Sequence, residues 1–150
     1  MLQQFFIGLK TGVVGQLFGN IVRDPSAAAA LATAYEYPES LNKASLEMYF
    51  TPFAESEARR EQVKGFSQFE RNRDQLVAAA QALRASRIPA QVLWGEGDTA
   101  FDAPASIEWF KSNLGGLRKL TTIPNAKVFW PEEHPRLLTV LLKEFWSGIN

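Results

Sequence analysis

The chain contains no cysteine. Disulfides, thiolate zinc sites and a cysteine nucleophile are therefore excluded, while the compartment is left open. Histidine occurs once, as His134, so a metal site would have to be built almost wholly from carboxylates; no metal and no cofactor is expected. Net charge is missing as well. Sixteen basic residues balance sixteen acidic ones, which leaves no long-range field to gather an anionic polymer or lipid, and nucleic acid is not expected as a partner. No uncharged apolar run reaches the roughly 18 residues of a membrane-spanning helix. The most apolar stretch, residues 1–22, is interrupted by Lys10 and has no positive side chain ahead of it, unlike a secretory leader. The cytoplasm or an organelle interior is thus favoured over secretion.

What is present changes in texture near Arg87, suggesting a helical region over residues 1–87 and a mixed region over 88–150. Leu2, Phe5, Phe6, Leu9, Val13, Leu17 and Ile21 recur at three- and four-residue spacings, as on one face of a helix. That helix either packs on its own protein or lies against an interface or partner. Gly8, Gly12, Gly15 and Gly19 weaken it in isolation. Asp24-Pro25 reads as a cap and first turn opening an alanine-rich helix that ends near Tyr35. Ser40 can cap a short helix that Pro52 ends. A charged helix is expected over residues 55–69, burying Val63, Phe66 and Phe69, and another over 74–86 carrying Leu76, Ala79, Ala80 and Leu83. Arg59, Arg60, Lys64, Arg71 and Arg73 interleave with Glu55, Glu57, Glu61, Glu70 and Asp74. This is the pattern of a solvated, ion-paired face.

After Arg87 the period changes. Ala90 to Trp94, bounded by Pro89 and Gly95, reads as a buried strand. Asp102 and Pro104 start a helix that Gly115 and Gly116 stop. A half-polar strand follows over residues 119–123, and Pro135 opens a last helix with a wide apolar stripe from Leu137 to Trp146. Strand, helix, strand, helix is one parallel crossover unit with a packing helix, so the fold class is α/β.

Two phrases carry a resemblance: Ile88-Pro-Ala-Gln-Val-Leu-Trp-Gly-Glu-Gly-Asp98, and Asn125-Ala-Lys-Val-Phe-Trp-Pro-Glu-Glu-His-Pro135. Together with the terminal apolar helix they resemble the closing part of an α/β-hydrolase of the haloalkane dehalogenase and epoxide hydrolase branch. In that branch a helical cap precedes the last two strands. Residues 1–87, including Tyr49-Phe-Thr-Pro-Phe53, resemble that cap, and residues 88–150 the end of the core, as a partial parallel sheet of β-α-β-α order. The resemblance implies that Asp98 stands where the triad acid stands, as a vestigial acid. It also implies that Val128 occupies the catalytic-histidine position, where no proton can be accepted or shuttled. No Gly-x-Ser-x-Gly elbow occurs among the 150 residues, and the early strands that would carry it are not expected in this chain.

Asp98 has a simpler reading as a turn residue capping local amides, and Asp102 as a helix cap rather than half of a carboxylate pair with Glu96. His134, six residues past Val128 and beside Glu132 and Glu133, reads as a solvated surface residue. Phe101, Val128, Phe129 and Trp130 are candidate lining of a ligand pocket, with Phe129 and Trp130 equally readable as core. Two parallel strands make an unfinished sheet, so a protein partner or a second copy is expected over the open strand edge. The expectation is a catalytically inactive hydrolase-like remnant acting as a structural or interaction subunit. The alternatives are a hydrolase portion completed by another chain and a small apolar-ligand module.

Overall fold

The computed structural model describes residues 28–66 and 72–149. The helix expected over residues 1–22, the Asp24-Pro25 helix start, and Phe69, Glu70 and Arg71 lie outside the described residues. Those that are described fall into two compact units. One holds residues up to Thr33 and those between Tyr37 and Arg73; the other holds Ala34–Glu36 and the residues from Asp74 onward.

In the first unit a short helix α1 (Ala29–Ala32) is followed by a 3-10 turn over Pro38–Ser40 and by α2 (Lys43–Ala54) and α3 (Glu57–Phe66). Asn42, rather than Ser40, caps α2, its side-chain oxygen accepting from the Ser45 amide at 3.1 Å. Pro52 lies inside α2 instead of ending it. The helix has only two residues left at that point, and the Glu55 amide still reaches the Thr51 carbonyl at 3.0 Å. The Arg60 guanidinium donates to the Phe53 and Ala54 carbonyls, both at 2.9 Å. A cation on orphan carbonyls is the favoured complement to a helix C-terminus. Arg60 is thereby removed from the solvated face expected of its neighbours. Leu41 and Leu46 are buried, Leu46 to 2% exposure.

The second unit runs through α4 (Arg73–Ala85), from its second residue onward, then β1 (Ala90–Gly95), α5 (Ala103–Asn113), β2 (Leu117–Ile123), α6 (Trp130–Glu133) and α7 (Pro135–Ser147). The two strands pair in parallel, Gln91 opposite Lys119 and Gly95 opposite Ile123, with an irregularity between Ala90 and Gln91. A small parallel sheet among helices is an α/β arrangement, as the change of period indicated. The helices take opposite faces of the sheet because side chains alternate along a strand. On one face Leu93 and Ile123 pack with Ala126, Trp130 and the α7 residues Leu138 and Leu141, and Lys119 reaches Glu144 at 3.2 Å. On the other, the Trp94 ring lies 5.9 Å from that of Phe110 in α5. Burying Ile123 and the Trp130 side chain contributes several kcal/mol at ~25 cal/mol per Å² of apolar surface.

Glycine is required where backbones touch. A Cβ on Gly95 would collide with the Ala126 carbonyl and one on Gly116 with the Ile88 carbonyl. Asp102 caps α5 through the Ala105 amide at 3.0 Å, and Pro104 follows in the first turn. α4 and α7 bury no residue completely, and α4 is the more exposed of the two. Leu76, Val77 and Leu83 are all exposed, and no residue of the helix is buried. Among the described residues, no helix is long and apolar enough to cross a membrane.

Candidate functional site at the carboxyl ends of the strands

The turns leaving β1 and β2 are joined by backbone bonds. The Glu96 amide donates to the Ile123 carbonyl at 3.0 Å and the Gly97 amide to Ala126 at 2.9 Å. This junction positions Asp98 at the carboxyl end of β1, where open α/β sheets place their chemistry. One carboxylate oxygen of Asp98 accepts from the Ala100 amide at 2.7 Å and from the Phe101 amide at 3.1 Å. An aspartate that bonds backbone two and three residues on is building a turn. Asp102 is engaged in the same way at the start of α5, and Glu96 is exposed. Among the described residues, no three carboxylate or imidazole groups come together as metal ligands.

The turn after β2 is reversed by Asn125, whose φ of 61° suits asparagine better than most side chains. Ala126 is fully enclosed and Val128 is half-buried. Phe129 stacks on Tyr35 with ring centroids 4.6 Å apart, and Trp130 is only 5% exposed within the core under the sheet. Four polar contacts then fasten residues 34–36 to this turn. The Phe129 amide donates to the Ala34 carbonyl at 3.3 Å, and the Tyr35 hydroxyl to Glu132 at 3.2 Å. The Glu36 amide donates to Glu133 at 3.0 Å, and the Glu36 carboxylate meets Nε2 of His134 at 2.8 Å.

His134 is therefore a half-buried partner of Glu36, not the solvated residue its helix-start position suggests. The reason is tertiary: a segment 98 residues away supplies the carboxylate. Tyr35 and Glu36 carry no signal of this role in the sequence, whereas the acidic pair Glu132-Glu133 beside the single histidine does mark the receiving end. An imidazole held by a carboxylate is fixed in orientation. Val128, half-buried in the same turn, can take no part in proton transfer.

Phe101, Phe129 and Trp130 serve separate packing roles, and Val128 is half-buried. Phe101 leans edge-on against Trp94 at 6.4 Å, Phe129 covers Tyr35, and Trp130 faces the core. A cavity of about 440 Å³ is lined by Pro89, Arg118, Lys119, Glu144, Phe145, Gly148 and Ile149, and one of about 330 Å³ by Trp94, Ala105, Ser106, Trp109 and Phe110. None of the four candidate pocket residues lines either cavity. No protein-family model, curated protein or solved structure matches the chain.

Proposed function

We propose that this chain is a catalytically inactive α/β-hydrolase-like protein that serves as a structural or interaction subunit. One observation carries the reading: among the described residues β1 has a neighbour on one side only. The Ala90 amide bonds to Gly116 and the Glu96 amide to Ile123, so even-numbered backbone groups face β2 and those of Gln91 and Leu93 face outward. Among the described residues nothing bonds them there. A parallel sheet of two strands is not a stable end state, and an uncovered apolar edge is a template for another chain. Further support comes from Val128, which has no proton to give or take, and from Asp98, whose carboxylate is committed to its own turn. Hydrolase ancestry rests on the two phrases around Asp98 and Val128.

The test is the native mass and composition of the chain taken gently from its own source, against 16.8 kDa for one copy. A larger particle is expected. A monomer there, or robust ester, epoxide or haloalkane hydrolysis by the purified chain that disappears in Asp98→Ala, defeats the proposal.

A second reading is favoured by the placing of Asp98 at the carboxyl end of β1. In it, another polypeptide completes a hydrolase site and supplies both nucleophile and base, since Val128 cannot be the base. Co-expression with candidate partner chains and the same substrate panel decides between the two.

A further inference from the structure

At the end of the sheet away from the Asp98 turn, the cavity of about 440 Å³ lies between the amino ends of the two strands and the last turn of α7. We infer that this cavity binds a small monocarboxylate with an apolar body, the carboxylate on Arg118 and the body against Phe145 and Ile149. The site is independent of the subunit reading.

Strand pairing supplies the first reason. Ala90 pairs with Leu117 and Gln91 with Lys119, so Arg118 is passed over. An extra residue of this kind interrupts the alternation of side chains and re-aims one of them. Arg118 and Lys119, which a regular strand would send to opposite faces, thus line the same cavity.

Charge supplies the second. Three charged residues line the cavity, and two of them are paired with each other: the Lys119 ammonium meets the Glu144 carboxylate at 3.2 Å. Arg118 is exposed, and among the described residues its guanidinium has no hydrogen-bond or ion-pair partner. One positive charge is left over, on a planar fork whose geometry matches a carboxylate. The Glu144 and Phe145 carbonyls at the end of α7 would oppose an anion, but both already accept from the Gly148 amide, at 3.2 and 3.1 Å.

The walls supply the third. An ion pair open to water contributes little by itself, so a ligand held here must also bury apolar surface. Phe145 is half-buried, Ile149 is 40% exposed, and Pro89 closes the side nearest β1. The volume falls within the range of small-molecule sites. A single uncompensated cation beside Glu144 favours a single negative charge over phosphate or sulfate, whose second charge would face that carboxylate.

The test is a titration of the full chain with phenylacetate, followed by backbone amide resonances. Saturable shifts at Arg118, Lys119, Gly148 and Ile149 are expected, with a dissociation constant on the order of 1 mM. Phenylacetamide, which keeps the shape and loses the charge, is expected to bind at least about tenfold more weakly, and so is acetate, which keeps the charge and loses the ring. These comparisons use the unaltered chain, so they stand whatever a variant does to folding. Arg118→Gln is expected to lose about tenfold in affinity with an unchanged circular dichroism spectrum, because the guanidinium it removes supports nothing else in the fold. No saturable shift up to about 10 mM overturns the site. So do shifts centred elsewhere, equal binding of phenylacetamide, or wild-type affinity in Arg118→Gln. Phosphate binding as tightly as phenylacetate also overturns it, by reducing Arg118 to a contact for adventitious anions.

Discussion

The segment from β1 to α7 and the helix α4 just before it obey different rules. In the former the strands and the turn after β2 find cover: Val92, Ile123, Ala126 and Trp130 are buried and both sheet faces carry a helix, although Val140 and Trp146 of α7 stay exposed. In α4 an equally clear amphipathic pattern finds none, with Leu76 at 55% and Val77 at 50% exposure. What holds α4 in its unit is polar and lies at its C-terminal end, where the Leu83 carbonyl accepts from the Gly115 amide at 3.0 Å and Arg84 meets Asn113. Periodicity thus reports which face of a helix could be buried; it does not report whether anything is there to bury it.

Substitutions along this contrast should separate the two regions. Trp130→Ala removes the largest buried ring of the core and is expected to cost about 3–5 kcal/mol in urea or thermal unfolding. A loss comparable to a surface change would mean that the core is not organised around Trp130. Glu36→Gln leaves the half-buried His134 without its charged partner and is expected to cost about 1–2 kcal/mol. The mutant cycle with His134→Gln should recover a coupling of that order; no coupling would reduce the pair to a bystander. Asp102→Ala removes the α5 cap and should cost about 1 kcal/mol, while Asp102→Asn should be nearly silent. Leu76→Ala, on the exposed face of α4, is expected to change the stability of the isolated chain by less than about 0.5 kcal/mol. A larger loss there would show that α4 is covered in solution, and the contrast between the regions would fail.

Much of the second unit could be read directly. The Ala90 strand, the Asp102 cap and the Pro135 start of α7 stand where composition and punctuation put them, because each depends on residues within a few positions of one another. The same locality explains Asp98, whose bonds to Ala100 and Phe101 are those of an ordinary aspartate turn. Where the reading failed, a neighbour intervened. Asn42 outcompeted Ser40 as a cap by standing immediately before Lys43, and Pro52 was tolerated because so little helix follows it.

The alternation of periods by itself determined that a parallel strand pair would stand among helices, since side-chain direction follows from backbone geometry alone. Only the tertiary structure decided that Tyr35 would be sealed under Phe129 and that Glu36 would meet His134, contacts between segments nearly a hundred residues apart whose spacing obeys no period. It also decided that the outward amides of Gln91 and Leu93 would face no strand among the described residues, because which edge of a sheet remains open depends on what packs beside it.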